Sequence, residues 1–327
     1  MFYSCKDEKI RYTGRFGLIE DRPLPHMKAT APGAYFEFAY RGKVAVLIFE
    51  VIRLANPAGR LYLSVDGGAM VESTIDRYVH VTAQKDGYHE VKVIYKSCSE
   101  TQHRWHHPLI GKCSLEGIEV NELVELPPDD RKTVEFVGDS ITEGVLIEEA
   151  NRYYPYDDDN RPFQDDVTGT YAWLTAENLN LRPFVMGYGA VGTTHGGNGG
   201  VPAVGEAYPY NFDYSPVTYP SCDYIVINHG ANDMNDHEGF LREYPKLLAL
   251  VRERNPKSVI IALSAFYGGL EEETKKAVDE FNEQHKDNVI LISSKGWVPS
   301  EPLHPLRDGH AIIAGHLTEE LKKYGIG

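Results

Sequence analysis

The sequence predicts a three-layer α/β domain built on a parallel sheet, preceded by an all-β sandwich or jelly-roll domain. Three observations carry this. From residue 131 onward, short apolar runs alternate with stretches of helical period, the pattern of βαβ units whose sheet is covered on both faces. Before residue 121, apolar and polar residues alternate in short runs between glycine turns, without a long amphipathic helix, which is the pattern of a sandwich. Between them lies Val124-Glu125-Leu126-Pro127-Pro128-Asp129-Asp130, a charged, proline-bearing connector. The expected division is a β domain over 1–121, a linker over 122–131 and an α/β domain over 132–327.

Each element has its own reason. Residues 35–40 alternate, 43–49 form a β-rich run, and 60–65 alternate up to the hairpin signal Asp66-Gly67-Gly68. Strands are expected again at 78–81 and, after Asp86-Gly87, at 88–95. In the second half, buried strands are expected at 133–137, 184–186, 223–228, 258–263 and 288–292. Helices are expected at 171–179, 238–252, 271–285 and 309–323. The polar, acidic stretch 148–168 reads as a long loop, a class that is often functional in compact domains.

The chain has 327 residues, comfortable for two domains, and a formal net charge of -15. Such a surface repels phosphate backbones, which argues against nucleic acid and anionic membranes as partners. The four cysteines, Cys5, Cys98, Cys113 and Cys222, include no C-x-x-C pair, so reduced thiols are the expectation. The first residues, Met1-Phe2-Tyr3-Ser4-Cys5-Lys6-Asp7-Glu8, lack the apolar run of a signal peptide, and a cytoplasmic location is expected. The sequence carries no signal of oligomeric state.

The chemistry sits at three strand ends and one late turn. Val137-Gly138-Asp139-Ser140-Ile141 closes an apolar strand and opens a helix, so backbone N–H groups and the helix dipole stabilise negative charge beside a serine. The bland reading is a capped helix start. Gly230-Ala231-Asn232-Asp233 is ordinary turn chemistry, yet its amide also suits a developing oxyanion. In Glu301-Pro302-Leu303-His304-Pro305, a carboxylate three residues before a histidine can accept its Nδ1 proton and leave Nε2 for a serine. Because ligands bind at the carboxyl ends of open α/β sheets, Ser140, Gly192 and Asn232 can share one crevice. An imidazole base makes activity rise with pH through roughly 6.5.

Other readings are weaker. Gly187-Tyr188-Gly189-Ala190-Val191-Gly192 matches a dinucleotide fingerprint literally, but the Thr193–Gly200 segment that follows is a poor helix. His103, His106 and His107 stand in adjacent positions that point different ways on a strand or loop, so no metal and no cofactor is expected. Trp297, Trp105 and His195 are candidate sugar contacts, as are Tyr153, Tyr154 and Tyr156 in the acidic loop; ordinary packing competes with this for each ring.

The order of these blocks resembles the SGNH (GDSL) hydrolase superfamily over residues 132 to 325, and His304-Pro305-Leu306-Arg307-Asp308-Gly309-His310 matches that family's His-Pro-x-x-x-Gly-His ending. The resemblance implies a flavodoxin-like sheet, Ser140 as nucleophile and His304 as base, with Glu301 orienting it. It also implies an oxyanion hole made by the Ser140 and Gly192 N–H groups and the Asn232 amide. His310 is not the base in that pattern. The acid is a glutamate where the family usually has aspartate, and Gly189 competes with Gly192 for the donor role. A β domain ahead of such a hydrolase is similar to carbohydrate esterase family 2, on Ile10–Phe16, Leu63–Gly67 and Gly87–Val93. That implies an acetylated xylo-, manno- or gluco-oligosaccharide substrate. The alternatives are a carbohydrate-binding protein with a silent hydrolase domain, and an esterase or thioesterase for lipid-like acyl groups.

Overall fold

The computed structural model describes residues 1–148 and 161–327. Its first half is one antiparallel ten-stranded sheet folded over on itself. Two long strands, Tyr35–Phe49 and Tyr78–Ser97, pair along their length and run through both layers. They bend where Gly42 faces Gly87, and the register shifts between Gly42 and Val44. Gly42 has φ 133°, and a Cβ there would stand 2.9 Å from Asn121 Nδ2, so the bend requires glycine. The expected strand pairs 35–40/43–49 and 78–81/88–95 are thus continuous strands. Phe36, Phe38, Tyr40, Leu47, Leu63 and Leu115 close the core between the layers.

Five parallel strands form the second half, in the order Arg182–Gly187, Thr133–Gly138, Tyr224–Asn228, Val259–Leu263, Ile290–Ile292. Successive side chains point to opposite faces. Val137, Ile225 and Ile227 meet Phe240, Leu247 and Val251 of helix His237–Arg254, with helix Glu271–His285 on the same side. Val134, Phe136 and Val226 meet Ala172, Ile313 and Leu317 of helices Tyr171–Asn178 and Arg307–Lys323 on the other. The chain switches direction across the sheet beside Thr133–Gly138, the place where open α/β sheets hold ligands.

The halves share a core. Tyr35 and Ile94 pack with Val167, Trp173 and Val185. Arg15, fully buried, carries its guanidinium from the β half to Glu135 Oε1 at 2.9 Å and to the carbonyls of Tyr208 and Tyr210 at 2.9 and 2.7 Å. Glu122–Val124, inside the stretch expected to be linker, is a strand paired with Arg41–Ala39 of the β sheet. Within the stretch 148–168 read as a loop, Arg161–Gln164 is a helical turn. Tyr153, Tyr154 and Tyr156 lie outside the described residues. Among the described residues, no helix is long and apolar enough to cross a membrane.

Candidate active site

Strand Thr133–Gly138 delivers Ser140 to the carboxyl edge of the sheet. The turn from strand to helix is tight: a Cβ on Gly138 would stand 2.0 Å from Thr142 Oγ1. Asp139 caps the helix, its Oδ1 accepting the Ile141 N–H at 3.0 Å. The helix Ser140–Glu143 ends at Gly144, which has φ 87°. As the first helical residue, Ser140 has an N–H with no acceptor inside the helix.

His304 comes from the turn before helix Arg307–Lys323, and its Nε2 lies 2.9 Å from Ser140 Oγ. At that separation a neutral imidazole accepts the hydroxyl hydrogen. Asn232 follows strand Tyr224–Asn228; its Nδ2 donates to Asp139 Oδ2 at 3.3 Å and to the Val191 carbonyl at 3.1 Å. Burial pushes the Asp139 carboxyl up to about 7. Residues 164 and 92 positions from Ser140 along the chain therefore converge on one strand end.

The structure places the remaining candidates as follows. Glu301 is exposed on the turn that carries His304. The Gly192 N–H donates to the His195 carbonyl at 3.0 Å, so the loop's own turn occupies that donor. The rival Gly189 N–H is engaged by Glu143 Oε2 at 2.8 Å. Glycine at 192 has a steric reason: a Cβ would stand 2.7 Å from Asp233 Oδ1. Asp233 instead accepts the N–H groups of Thr193 and Thr194 and fixes this loop.

Trp105 is 4 % exposed and packs edge-on against Tyr188, which places its ring in the core shared with Val191 and Val201. Trp297 is half-buried and stacked on His316 at 5.3 Å. His195 is exposed, but both ring nitrogens face carbonyl oxygens, of Gly196 at 2.8 Å and Asn232 at 3.0 Å. Those carbonyls raise its pKa; the ring braces the Asn232 backbone. His310 is buried and accepts the Tyr171 N–H on Nδ1 at 3.1 Å, at the start of a helix. His106 pairs with Asp213 at 2.7 Å and His107 packs on Phe212. Among the described residues, no three His, Cys, Asp or Glu side chains gather as metal ligands.

Sequence reasoning missed a set of buried charges around this site. Arg104, inside the histidine-rich stretch, pairs with Glu143, and Asp166 bonds both Tyr62 and Arg307.

No curated protein matches the chain. Solved structures match it end to end. A family two carbohydrate esterase from Clostridium thermocellum, in complex with cellohexaose, is 23 % identical with a TM-score of 0.77, covering 96 % of this chain and 98 % of its own. A family two carbohydrate esterase from Cellvibrio japonicus is 18 % identical with a TM-score of 0.80, over 99 % and 97 %. An acetyl xylan esterase from the rumen bacterium Butyrivibrio proteoclasticus is 16 % identical with a TM-score of 0.77, over the whole of both chains. These establish the two-part fold. The sequence model of one family matches residues 136–312, which span the nucleophile strand, the glycine loop, Asn232 and His304. The chain belongs to the GDSL-like lipase/acylhydrolase family.

Proposed function

We propose that this protein is a serine esterase that removes O-acetyl groups from xylo-, manno- or gluco-oligosaccharides. The observation that carries the chemistry is the 2.9 Å contact between Ser140 Oγ and His304 Nε2 at the end of the central strand. His304 takes the hydroxyl proton as Ser140 attacks the acetyl carbonyl. The oxyanion rests on the Ser140 N–H and on Asn232 Nδ2, which turns from Asp139 to receive it. His304 then protonates the departing sugar oxygen, and water hydrolyses the acetyl-serine with His304 again as base.

The sugar class rests on the end-to-end similarity to carbohydrate esterases, which covers the β half as well as the hydrolase half. We place the reaction in the cytoplasm, on short imported oligosaccharides; four buried, free cysteines fit a reducing compartment. The test is a panel of acetylated oligosaccharides followed by NMR, with wild-type protein and Ser140→Ala. Acetyl signals should vanish with wild type only. Retained turnover in Ser140→Ala overturns the mechanism; sugar binding without acetate release overturns the esterase reading.

A further inference from the structure

The β half reaches the catalytic pair through two chains of polar contacts, the first buried and the second running out to the exposed Arg307. In the first, Arg104 is fully buried on the segment that follows strand Tyr78–Ser97. Its Nη1 donates to Glu143 Oε1 and its Nη2 to Oε2 at 3.2 Å. Glu143 is the last residue of the four-residue helix that begins with Ser140. The same carboxylate accepts the Gly189 N–H at 2.8 Å, and the Arg104 N–H donates to Gly199 O at 2.9 Å. One residue of the β half thus holds the nucleophile helix with its side chain and one end of the glycine loop with its backbone, while its partner Glu143 holds the other end.

In the second, Tyr62, on strand Arg60–Val65, donates its hydroxyl hydrogen to Asp166 Oδ2 at 3.0 Å. Arg307 Nη2 donates to the same oxygen at 2.7 Å. Arg307 stands three residues after His304, and its N–H donates to Ile147 O at 3.2 Å. The Asp166 N–H donates to the carbonyl of Gly144, the residue that ends the nucleophile helix, at 3.0 Å. Asp166 therefore ties the serine side to the histidine side, and Tyr62 holds Asp166.

We propose that the β half is part of the catalytic apparatus, with Arg104 and Tyr62 as positioning residues that set the Ser140–His304 separation. The inference rests on the reading of Ser140 and His304 as the catalytic pair. Each acts through a carboxylate, Arg104 through Glu143 and Tyr62 through Asp166. The geometry favours this over simple attachment of a module, because the two chains end at Glu143 and Arg307, each three residues from a catalytic side chain. Interdomain adhesion alone is already supplied elsewhere, by Arg15 and Glu135 and by the shared core around Trp173.

The experiment compares wild type, Ser140→Ala, Arg104→Lys, Tyr62→Phe and, as a stability control far from the site, Val251→Ala. Acetyl-ester hydrolysis gives kcat and KM; the rate at which a phosphonate ester labels Ser140 reports nucleophile reactivity without sugar binding. Misplaced catalytic groups lower kcat by roughly 10- to 100-fold for Arg104→Lys and about 3- to 10-fold for Tyr62→Phe, with KM unchanged. Labelling should fall in parallel. Val251→Ala, which lowers the melting temperature by loss of core packing, should keep kcat. If Ser140→Ala is inactive while both positioning variants keep wild-type kcat and labelling, the inference fails and the site reading stands. If Ser140→Ala is active, the site reading itself fails. Should Arg104→Lys not fold, Tyr62→Phe, which removes one oxygen, decides alone.

Discussion

Replacing Asn232 by alanine isolates the oxyanion donor. A preorganised donor of this kind contributes about 2.7–4 kcal/mol to the transition state. Asn232 does not wait idle: its Nδ2 already donates to Asp139 at 3.3 Å and to Val191 at 3.1 Å. Turning toward the oxyanion gives up the longer of these, which offsets about 1 kcal/mol. The net value is about 2–3 kcal/mol, so Asn232→Ala should lower kcat roughly 30- to 150-fold. KM should stay unchanged, because the donor meets a charge that exists only in the transition state. Steady-state hydrolysis of p-nitrophenyl acetate measures both constants, and circular dichroism checks the fold. A fall below about threefold, or a rise in KM alone, would show that Asn232 is a turn residue and not an oxyanion donor.

Three further substitutions bear on the fold and the site. Glu301 is exposed, so Glu301→Gln should leave kcat within about twofold; a loss beyond tenfold would assign it the orienting role. Arg15→Met strands the buried Glu135 carboxylate, which keeps only the Tyr208 and Tyr219 hydroxyls, and should lower unfolding free energy by about 3–5 kcal/mol in urea. The double variant with Glu135→Gln should recover part of that loss. Asp139→Asn concerns pH: burial holds the Asp139 carboxyl at about 7, against an ordinary value of 3.8. Between those values the folded protein keeps a proton that the unfolded chain releases, so this group's contribution is greatest below pH 4 and is lost as pH rises to 7. Asp139→Asn should flatten the fall in melting temperature over that window, with Asp165, raised in the same way, keeping its own share.

The parallel half was legible because its helices and strands keep clean periods. Glu271–His285 stands at the expected residues, and His237–Arg254 differs by one residue at its start and two at its end. In the β half, Gly42 and Gly87 broke two long strands into pieces, since a glycine inside a run reads as a turn. Strand Cys113–Glu119 was missed because it is buried on both faces along nearly its whole length and so shows no alternation. Ser140 and His304 stand in local motifs that survive without a structure. Partner choice does not: nothing near Gly192 in the chain marks its N–H for the His195 carbonyl, and nothing near Trp105 distinguishes a core indole from a sugar platform.

The pairing of Arg15 with Glu135 also constrains how this protein is made. The arginine leaves the ribosome 120 residues before its carboxylate. Until that strand is synthesised, the guanidinium faces solvent, because Glu135 and the Tyr208 and Tyr210 carbonyls that cover it all belong to the second half. The face of the β half around Arg15 is therefore covered only after strand Thr133–Gly138 and the Tyr208–Tyr210 segment have emerged, and a gene fragment ending at the proline connector should present that face to solvent.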